Sequence, residues 1–337
     1  MNILIYSPAF YPNIGGLENV TMILCNEFVK TGHTVKVITS TKSVKQDIFE
    51  FDIIRKPNIL RIIKELKLCD IFYQPNVSLK GLLPWLWIRK PIVFSHNGWY
   101  SRRNGDTGVQ DRLKFYFMKF GDNISVSRAV AKHIKIKSIV IPNPYDENIF
   151  NFDRTFNKTK DLVFVGRLVS DKGADVLLNA ISILKEEGLK YNLTIIGSGP
   201  EEENLKLLIK ELKLEDQITF TGSLIEKELS SKISNHKIMI IPSRWNEPFG
   251  IVALEGIACG CVLIGSEGGG LKEASGKCGL TFKNGDYKEL ADKIKKLLSD
   301  DIYLNSFKEH FKEHLEKHKP EIVAKKYLEV FEKALNR

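Results

Sequence analysis

Short runs of bulky apolar residues alternate along the chain with longer segments whose apolar positions recur at helical spacing. Ile3–Tyr6, Thr34–Thr39, Asp70–Gln74, Ile92–Ser95 and Asn123–Ser127 read as strands, and Val20–Lys30 reads as a helix between the first two. A second series begins at Leu162–Val165 and continues through Leu193–Ile196, Ile218–Phe220, Ile238–Ile241 and Cys261–Ile264, with helices at Val176–Glu187 and Glu201–Leu212. Strands that are apolar on both faces and separated by helices predict parallel sheets covered on both sides. The pattern is thus α/β, with two such units in tandem meeting near Pro142-Asn143-Pro144, where prolines suit a linker. The tail from Pro320 to Arg337 reads as an amphipathic helix, and no internal repeat or low-complexity segment is seen.

A length of 337 residues fits two domains better than one, and a chain that is 43% hydrophobic and 27% charged fits a globular protein. The longest bulky apolar run, Leu82 to Ile88, is seven residues long and contains Pro84. A bilayer span needs about 20, so no crossing is expected. Met1 to Tyr6 lacks a basic leader and runs straight into a strand, unlike a signal peptide. The expected location is cytoplasmic. Five scattered cysteines without metal spacing read as reduced thiols. Charge changes the picture more. Residues 1–142 carry 21 Lys and Arg against 10 Asp and Glu, while residues 143–337 carry 29 against 31. The basic first half suits an anionic substrate or an anionic lipid surface. Nucleic acid is the weakest candidate and is not an expected partner, since no zinc finger, aromatic ribonucleoprotein motif or basic helix repeat appears.

Polar motifs then fall just after predicted strands, the edge at which ligands sit in open parallel sheets. Gly15 and Gly16, between the first strand and its helix, allow close backbone approach to a phosphate, although a Gly pair at such a place is most often just a turn. Arg167 and Lys172, in Val165-Gly166-Arg167 and Asp171-Lys172-Gly173, are cations suited to a diphosphate, or else surface charges of a loop. No Asp-x-Asp triplet is present to hold a metal there.

Asn246 to Glu255 carries the most chemistry. Glu247 and Glu255 bracket Pro248-Phe249-Gly250, and a helix starting near Pro248 or Phe249 leaves Glu247 in the loop and puts Glu255 about two turns on. The amides of Gly250, Ile251 and Val252 would then face an anion, and the two carboxylates would accept hydrogen bonds from sugar hydroxyls. A buried helix with a solvated cap and a surface charge is the plainer alternative. Gly268-Gly269-Gly270 is a further loop able to shape a pocket. His96 ends a strand in the basic half, and is either a packed histidine or a catalyst. Arg102 and Arg103 follow it and suit an acceptor phosphate, while Trp85 and Trp87 sit among cations as in membrane-surface segments, with a core role the simpler reading.

Together these motifs resemble the family 4 retaining glycosyltransferases of the two-Rossmann (GT-B) fold. The likeness runs nearly end to end, and is strongest over Leu162–Gly173, Ile241–Gly260 and Gly265–Gly279. It departs at Asn97, where an acidic residue is common, and at Pro144, where Gly is usual. The resemblance implies two Rossmann-like domains facing a central cleft: residues 1–142 with about 321–337 binding the acceptor, and 143–320 binding the donor. The tail helix crosses back to the first. It implies that Gly15 and Gly16 approach the donor phosphate and that Arg167 and Lys172 bind the diphosphate. Glu247, with Phe249, Gly250, Ile251 and Val252, would hold the donor sugar and Glu255 the ribose, with the base near Thr221, Gly222 and Ser223. Glu247, His96, Arg167 and Lys172 are the catalytic candidates. The expected reaction moves a hexosyl or N-acetylhexosaminyl group from a nucleotide-diphosphate sugar, UDP more than GDP, to a glycan or lipid-linked acceptor. Neither metal nor other cofactor is expected, and contact with an anionic membrane is an expected partner interaction. The alternatives are a nucleotide-sugar epimerase of the same fold and a non-catalytic nucleotide-sugar-binding module.

Overall fold

A computed structural model describes residues 1–13, 15–43, 48–101, 106–151 and 158–337. The chain forms two compact α/β units, one of Met1–Pro144 with Lys319–Arg337 and the other of Tyr145–His318.

In the first unit the described strands are β1 (Asn2–Tyr6), β2 (Thr34–Thr39), β3 (Asp52–Arg55), β4 (Ile71–Pro75), β5 (Ile92–His96), β6 (Asp122–Ser125) and β7 (Ile139–Val140). They pair in parallel in the order β3-β2-β1-β4-β5-β6-β7. The sheet is buried on both faces, with Ile5, Val37, Phe72, Val93 and Ile124 all sealed, which is why its central strands are legible as continuous apolar runs. β3 and β7 were not apparent in sequence. The first is half-exposed and carries Asp52 and Arg55, and the second is two exposed residues at the sheet edge. The helix Pro320–Leu335 belongs to this unit. It packs on the helix Gly16–Lys30 and on β4 and β5, where Phe331 meets Phe28 and Tyr73 with ring centroids 5.4 Å apart in each case.

The second unit holds β8 (Lys160–Val165), β9 (Leu193–Ile196), β10 (Ile218–Gly222), β11 (His236–Ile241), β12 (Val262–Ser266) and β13 (Gly279–Phe282), parallel in the order β10-β9-β8-β11-β12-β13. Its core joins Phe164, Leu177, Ile181, Ile195, Ile240 and Ile264. In both units the first strand lies between the second and the fourth, so the winding reverses beside it. The reversal sits between β1 and β4 in one sheet and between β8 and β11 in the other. Crevices form at the carboxyl ends of strands at such points.

The five cysteines are free and buried. The apolar run Leu82 to Ile88 lies in a helix, Leu79–Ile88, and no described helix is long and apolar enough to cross a membrane. A core role fits Trp85, which is buried and donates its indole N–H to the Lys90 carbonyl at 2.7 Å. Trp87 is instead 73% exposed.

Candidate functional site

Residues distant in sequence meet at the reversal point of the second sheet. β8 is followed by Gly166-Arg167, and the loop tightens into a single 3-10 turn, Ser170–Lys172, closed by Gly173 at φ +68°. β11 is followed by Pro242-Ser243-Arg244. The two loops are stitched by backbone: the amides of Arg244 and Trp245 donate to the Asp171 carbonyl at 2.9 and 3.2 Å. Arg244 also forms a two-pronged ion pair with Asp175, at the start of the helix Ala174–Glu186. This brings the Lys172 ammonium 2.6 Å from Glu247 Oε1, which also accepts from the Ser243 hydroxyl at 2.8 Å. Glu247 is only 9% exposed, so the ammonium compensates a carboxylate that would be costly to hold alone. Its Oε2 has no protein partner among the described residues and is free to accept from a ligand.

Glycines let these loops come so close. A Cβ on Gly173 would lie 2.0 Å from the Pro242 carbonyl oxygen, and one on Gly269, at φ +72°, would lie 2.1 Å from the Glu247 carbonyl oxygen. That carbonyl accepts from the Gly270 amide at 2.7 Å, and Glu247 pairs with Gly269 as an isolated parallel bridge. The Gly268-Gly269-Gly270 loop therefore braces the backbone of Glu247. Asn284 adds a second brace, accepting from the Gly268 amide at 2.9 Å and donating to the Ser243 carbonyl at 3.3 Å.

The helix after Glu247 is Ile251–Ala258, so the expected start at Pro248 or Phe249 is corrected. Gly250 adopts φ +102° and breaks the chain direction just before it, while Phe249 is buried against His318 with ring centroids 5.7 Å apart. Glu255 is consequently the fifth helical residue, about one turn in. The amides of Ile251 and Val252 lie in the first turn, where no intrahelical acceptor exists, and they present a positive dipole end. Burial, and secondarily the Asp146 carboxylate, push the Glu255 carboxyl up to about 7.

Arg167 is exposed beside this crevice, with no acidic partner among the described residues. Thr221 and Gly222 end β10, and Ser223 follows it. There the Gly197 amide donates to the Gly222 carbonyl at 2.9 Å, and the Ser198 and Ser223 hydroxyls are 2.7 Å apart. The carboxyl edge from β10 to β12 thus carries Thr221–Ser223, Arg167, Lys172, Glu247 and the Ile251 helix start in one unit.

Gly15 caps, and Gly16 begins, the helix Gly16–Lys30, after β1 in the first unit. His96 ends β5 but is fully buried. Asn123 donates its amide to the Met118 and Gly121 carbonyls, so its Oδ1 accepts from His96 Nε2 at 2.9 Å. His96 Nδ1 then accepts from the Tyr100 hydroxyl at 2.8 Å, which itself accepts from the Val77 amide at 3.1 Å. Burial pushes this imidazole down to about 4, so it is neutral. Both ring nitrogens are occupied inside the unit, and the packed reading of His96 fits this geometry where a group open to substrate does not. Arg102 and Arg103 lie outside the described residues. Ser243, Arg244, Asp175 and Asn284 were not apparent in sequence, because their roles come from contacts between loops that no local spacing encodes.

Residues 146–314 match the family model of glycosyl transferases group 1. Among curated relatives, the chain is 36% identical over 153 residues to D-inositol 3-phosphate glycosyltransferase of Corynebacterium jeikeium, covering 43% of this chain and 36% of that one. It is 31% identical over 313 residues to an uncharacterised glycosyltransferase of Methanocaldococcus jannaschii, covering 77% and 78%. The first relatives are matched over only part of their length, 36% in the Corynebacterium protein and 58% in an uncharacterised Bacillus subtilis glycosyltransferase. The fold superposes on Anabaena HepE, solved in complex with UDP, with a TM-score of 0.85 at 17% identity over 99% of this chain and all of that one. Sucrose-phosphate synthase of Thermosynechococcus elongatus gives 0.82 at 18% identity over 99% of each.

Gly173→Ala and Gly269→Ala should each destabilise the protein by more than the roughly 1–2 kcal/mol of a left-handed alanine, because a carbonyl must also move. Gly188→Ala, at φ +80° with nothing within 4 Å, should show the backbone cost alone. Urea unfolding of the three variants checks this, and equal losses would contradict the close approach.

Proposed function

The chain belongs to the group 1 glycosyl transferases, and from that membership we propose that it moves a hexosyl or N-acetylhexosaminyl group from a nucleotide-diphosphate sugar to a glycan or lipid-linked acceptor. The observation that carries this reading is the Lys172–Glu247 contact at the reversal of the second sheet. It holds a cation and a sugar-binding carboxylate at the edge where nucleotides sit in such folds. On donor binding, Lys172 and Arg167 turn to the diphosphate and Glu247 accepts from the donor sugar's hydroxyls. The amides of Gly250, Ile251 and Val252 face the phosphates, and Glu255 accepts from the ribose. Thr221–Ser223 border the base. UDP is favoured over GDP: HepE is solved with UDP and with UDP-glucose.

The transfer is proposed to retain anomeric configuration. The anomeric carbon's bond to the diphosphate oxygen breaks as its bond to the acceptor oxygen forms on the same face, and the departing phosphate oxygen takes the acceptor proton. Glu247, tied to Lys172 and Ser243, is a binder here and not a covalent nucleophile. Charge grows on the diphosphate in the transition state, and fixed cations there accelerate the step more than they tighten ground-state binding. Arg167 and Lys172 supply that charge, so no metal is required. The basic first unit suits an acceptor at an anionic membrane face in cell-surface polysaccharide or glycoconjugate synthesis.

Lys172→Ala and Glu247→Ala should each lower turnover by roughly 10²–10³-fold with circular dichroism unchanged. Near-normal transfer by either folded variant would remove these roles. Steady-state kinetics with a UDP-sugar and a lipid-linked glycan acceptor make the comparison.

Glu255 gives a pH signature. Its carboxyl is raised to about 7, so the free fold holds a proton that the unfolded chain releases, and stability falls as pH rises from the ordinary carboxyl range through about 7. Ribose hydroxyls donate to the ionised form. UDP binding near pH 6 should therefore expel a proton through Glu255, and affinity should rise about tenfold between pH 6 and 8 relative to Glu255→Gln. Calorimetry in buffers of different ionisation heat reads the proton. Identical proton release by wild type and Glu255→Gln would exclude the ribose contact.

A further inference from the structure

The helix Val109–Met118 of the first unit is amphipathic in reverse. A surface helix ordinarily turns its apolar stripe to the core. Here only Met118 is buried, and Phe115 packs inward against Tyr100 and His133 with ring centroids 5.9 and 6.3 Å away. The longer apolar stripe points outward. Val109 is 81% exposed, and Leu113, Tyr116 and Phe120 are each 45–55% exposed. Phe120 lies in the turn that closes the helix, its amide donating to the Phe117 carbonyl at 3.0 Å. At 3.6 residues per turn these four positions fall within roughly 60° of one another, on the side opposite Met118. Tyr116 meets Phe120 and Phe117 with centroids 5.2 and 5.7 Å apart, so three rings form one ledge.

Charge is sorted in the same sense. The one acid of this helix, Asp111, turns back to accept from the Gly108 amide at 3.1 Å and to pair with Lys114 at 3.4 Å. Lys114 itself lies over the Tyr100 ring, 5.6 Å from its centroid. Arg112 and Lys119 are exposed along one edge of the stripe, with no acidic partner among the described residues. The steps from β3 to β4, β4 to β5 and β5 to β6 all run the same way across the sheet. Right-handed crossovers therefore place their helices on one face. That face also carries exposed Leu83 and Trp87, and exposed Lys64, Lys67 and Arg89.

We propose that the helix Val109–Met118, with Phe120, is a docking element that lies in the interface of an anionic lipid bilayer. Val109, Leu113, Tyr116 and Phe120 enter the boundary of the acyl chains, and Arg112 and Lys119 reach the headgroup phosphates. Aromatic rings over an apolar stripe with cations at its edge suit that boundary, where one side is apolar and the other wet. A second copy of the chain fits less well. Twelve residues of helix are about 18 Å long, and a stripe of that length covers far less than the roughly 800 Å² per partner of a stable interface. Its unpaired cations also oppose self-pairing. The assignment deepens the reading of an acceptor at an anionic membrane face by naming the part of the chain that meets the lipid.

Vesicle co-sedimentation of the full chain, with phosphatidylcholine alone and with phosphatidylglycerol added, tests it. Binding should require the anionic lipid and fall as salt is raised. Arg112→Gln with Lys119→Gln should weaken it by roughly fivefold per cation, and Leu113→Gln with Phe120→Gln by at least about tenfold. All five cysteines are buried, so a cysteine placed at Val109 takes an environment-sensitive fluorophore selectively. Its emission should shift to the blue on anionic vesicles, while the same label at Leu207, exposed in the second unit, should not respond. Vesicle binding with no shift at Val109→Cys, or with the apolar pair indifferent, would overturn the assignment. Self-association in sedimentation velocity that the apolar pair abolishes, without vesicle binding, would give the face to a second copy and overturn it too. UDP binding, measured on the same samples, should be unchanged in every variant, which excludes misfolding. Loss of UDP and GDP binding in wild type would defeat the glycosyltransferase reading and leave the vesicle result standing, whereas absent vesicle binding with UDP bound would defeat only the docking element.

Discussion

A carboxylate held almost out of water needs a cation, and in the second unit that need organises the surrounding loops. Glu247 is compensated by Lys172, 75 positions earlier in the chain, and the contact forms only because the loops after β8 and β11 are drawn together. Their approach depends on Gly173, on the Asp171 carbonyl that two amides share, and on the Arg244–Asp175 pair. A third loop, after β12, carries Gly269 under the Glu247 carbonyl. Most of these elements fix backbone or position charge, and few are needed for the hydrophobic core. The loop backbone of the site is therefore braced before any ligand arrives, so the rearrangement on binding falls on the side chains.

The two units use a common winding for different electrostatic ends. In the second, charges at the carboxyl edge are largely paired in the free protein: Lys172 with Glu247, and Arg244 with Asp175. In the first, the same edge presents Lys56 and Lys80 without acidic partners, beside helix starts that lack acids. A paired site must redirect one partner to a ligand, whereas an unpaired cationic site draws an anion at longer range. That contrast agrees with the uneven distribution of charge between residues 1–142 and the rest.

The architecture was readable because the central strands are buried on both faces. Leu193–Ile196 has the bounds its apolar run suggests, and β8 and β11 differ from theirs by two residues at one end. Edge strands were hidden, since β3 and β7 are short and partly exposed and lack an apolar signature. Local backbone chemistry misled at the Ile251 helix, where Pro248 looked like a first helical residue but Gly250 takes a left-handed conformation and delays the start. Candidate side chains could be picked out by type and by position after strands. Which of them touch could not, since Lys172 and Glu247 are linked only through tertiary folding. His96 shows the opposite failure: its place at a strand end suggested access, while Tyr100 and Asn123 enclose it.

The most direct test of the central claim is calorimetric titration of the full chain with UDP and with GDP, each in excess chelator. The expected result is one-site binding of UDP, stronger than that of GDP, with no metal present, if Arg167 and Lys172 carry the charge a diphosphate requires. Absence of binding by both nucleotides would contradict the assignment of the Lys172–Glu247 crevice as a nucleotide-sugar site.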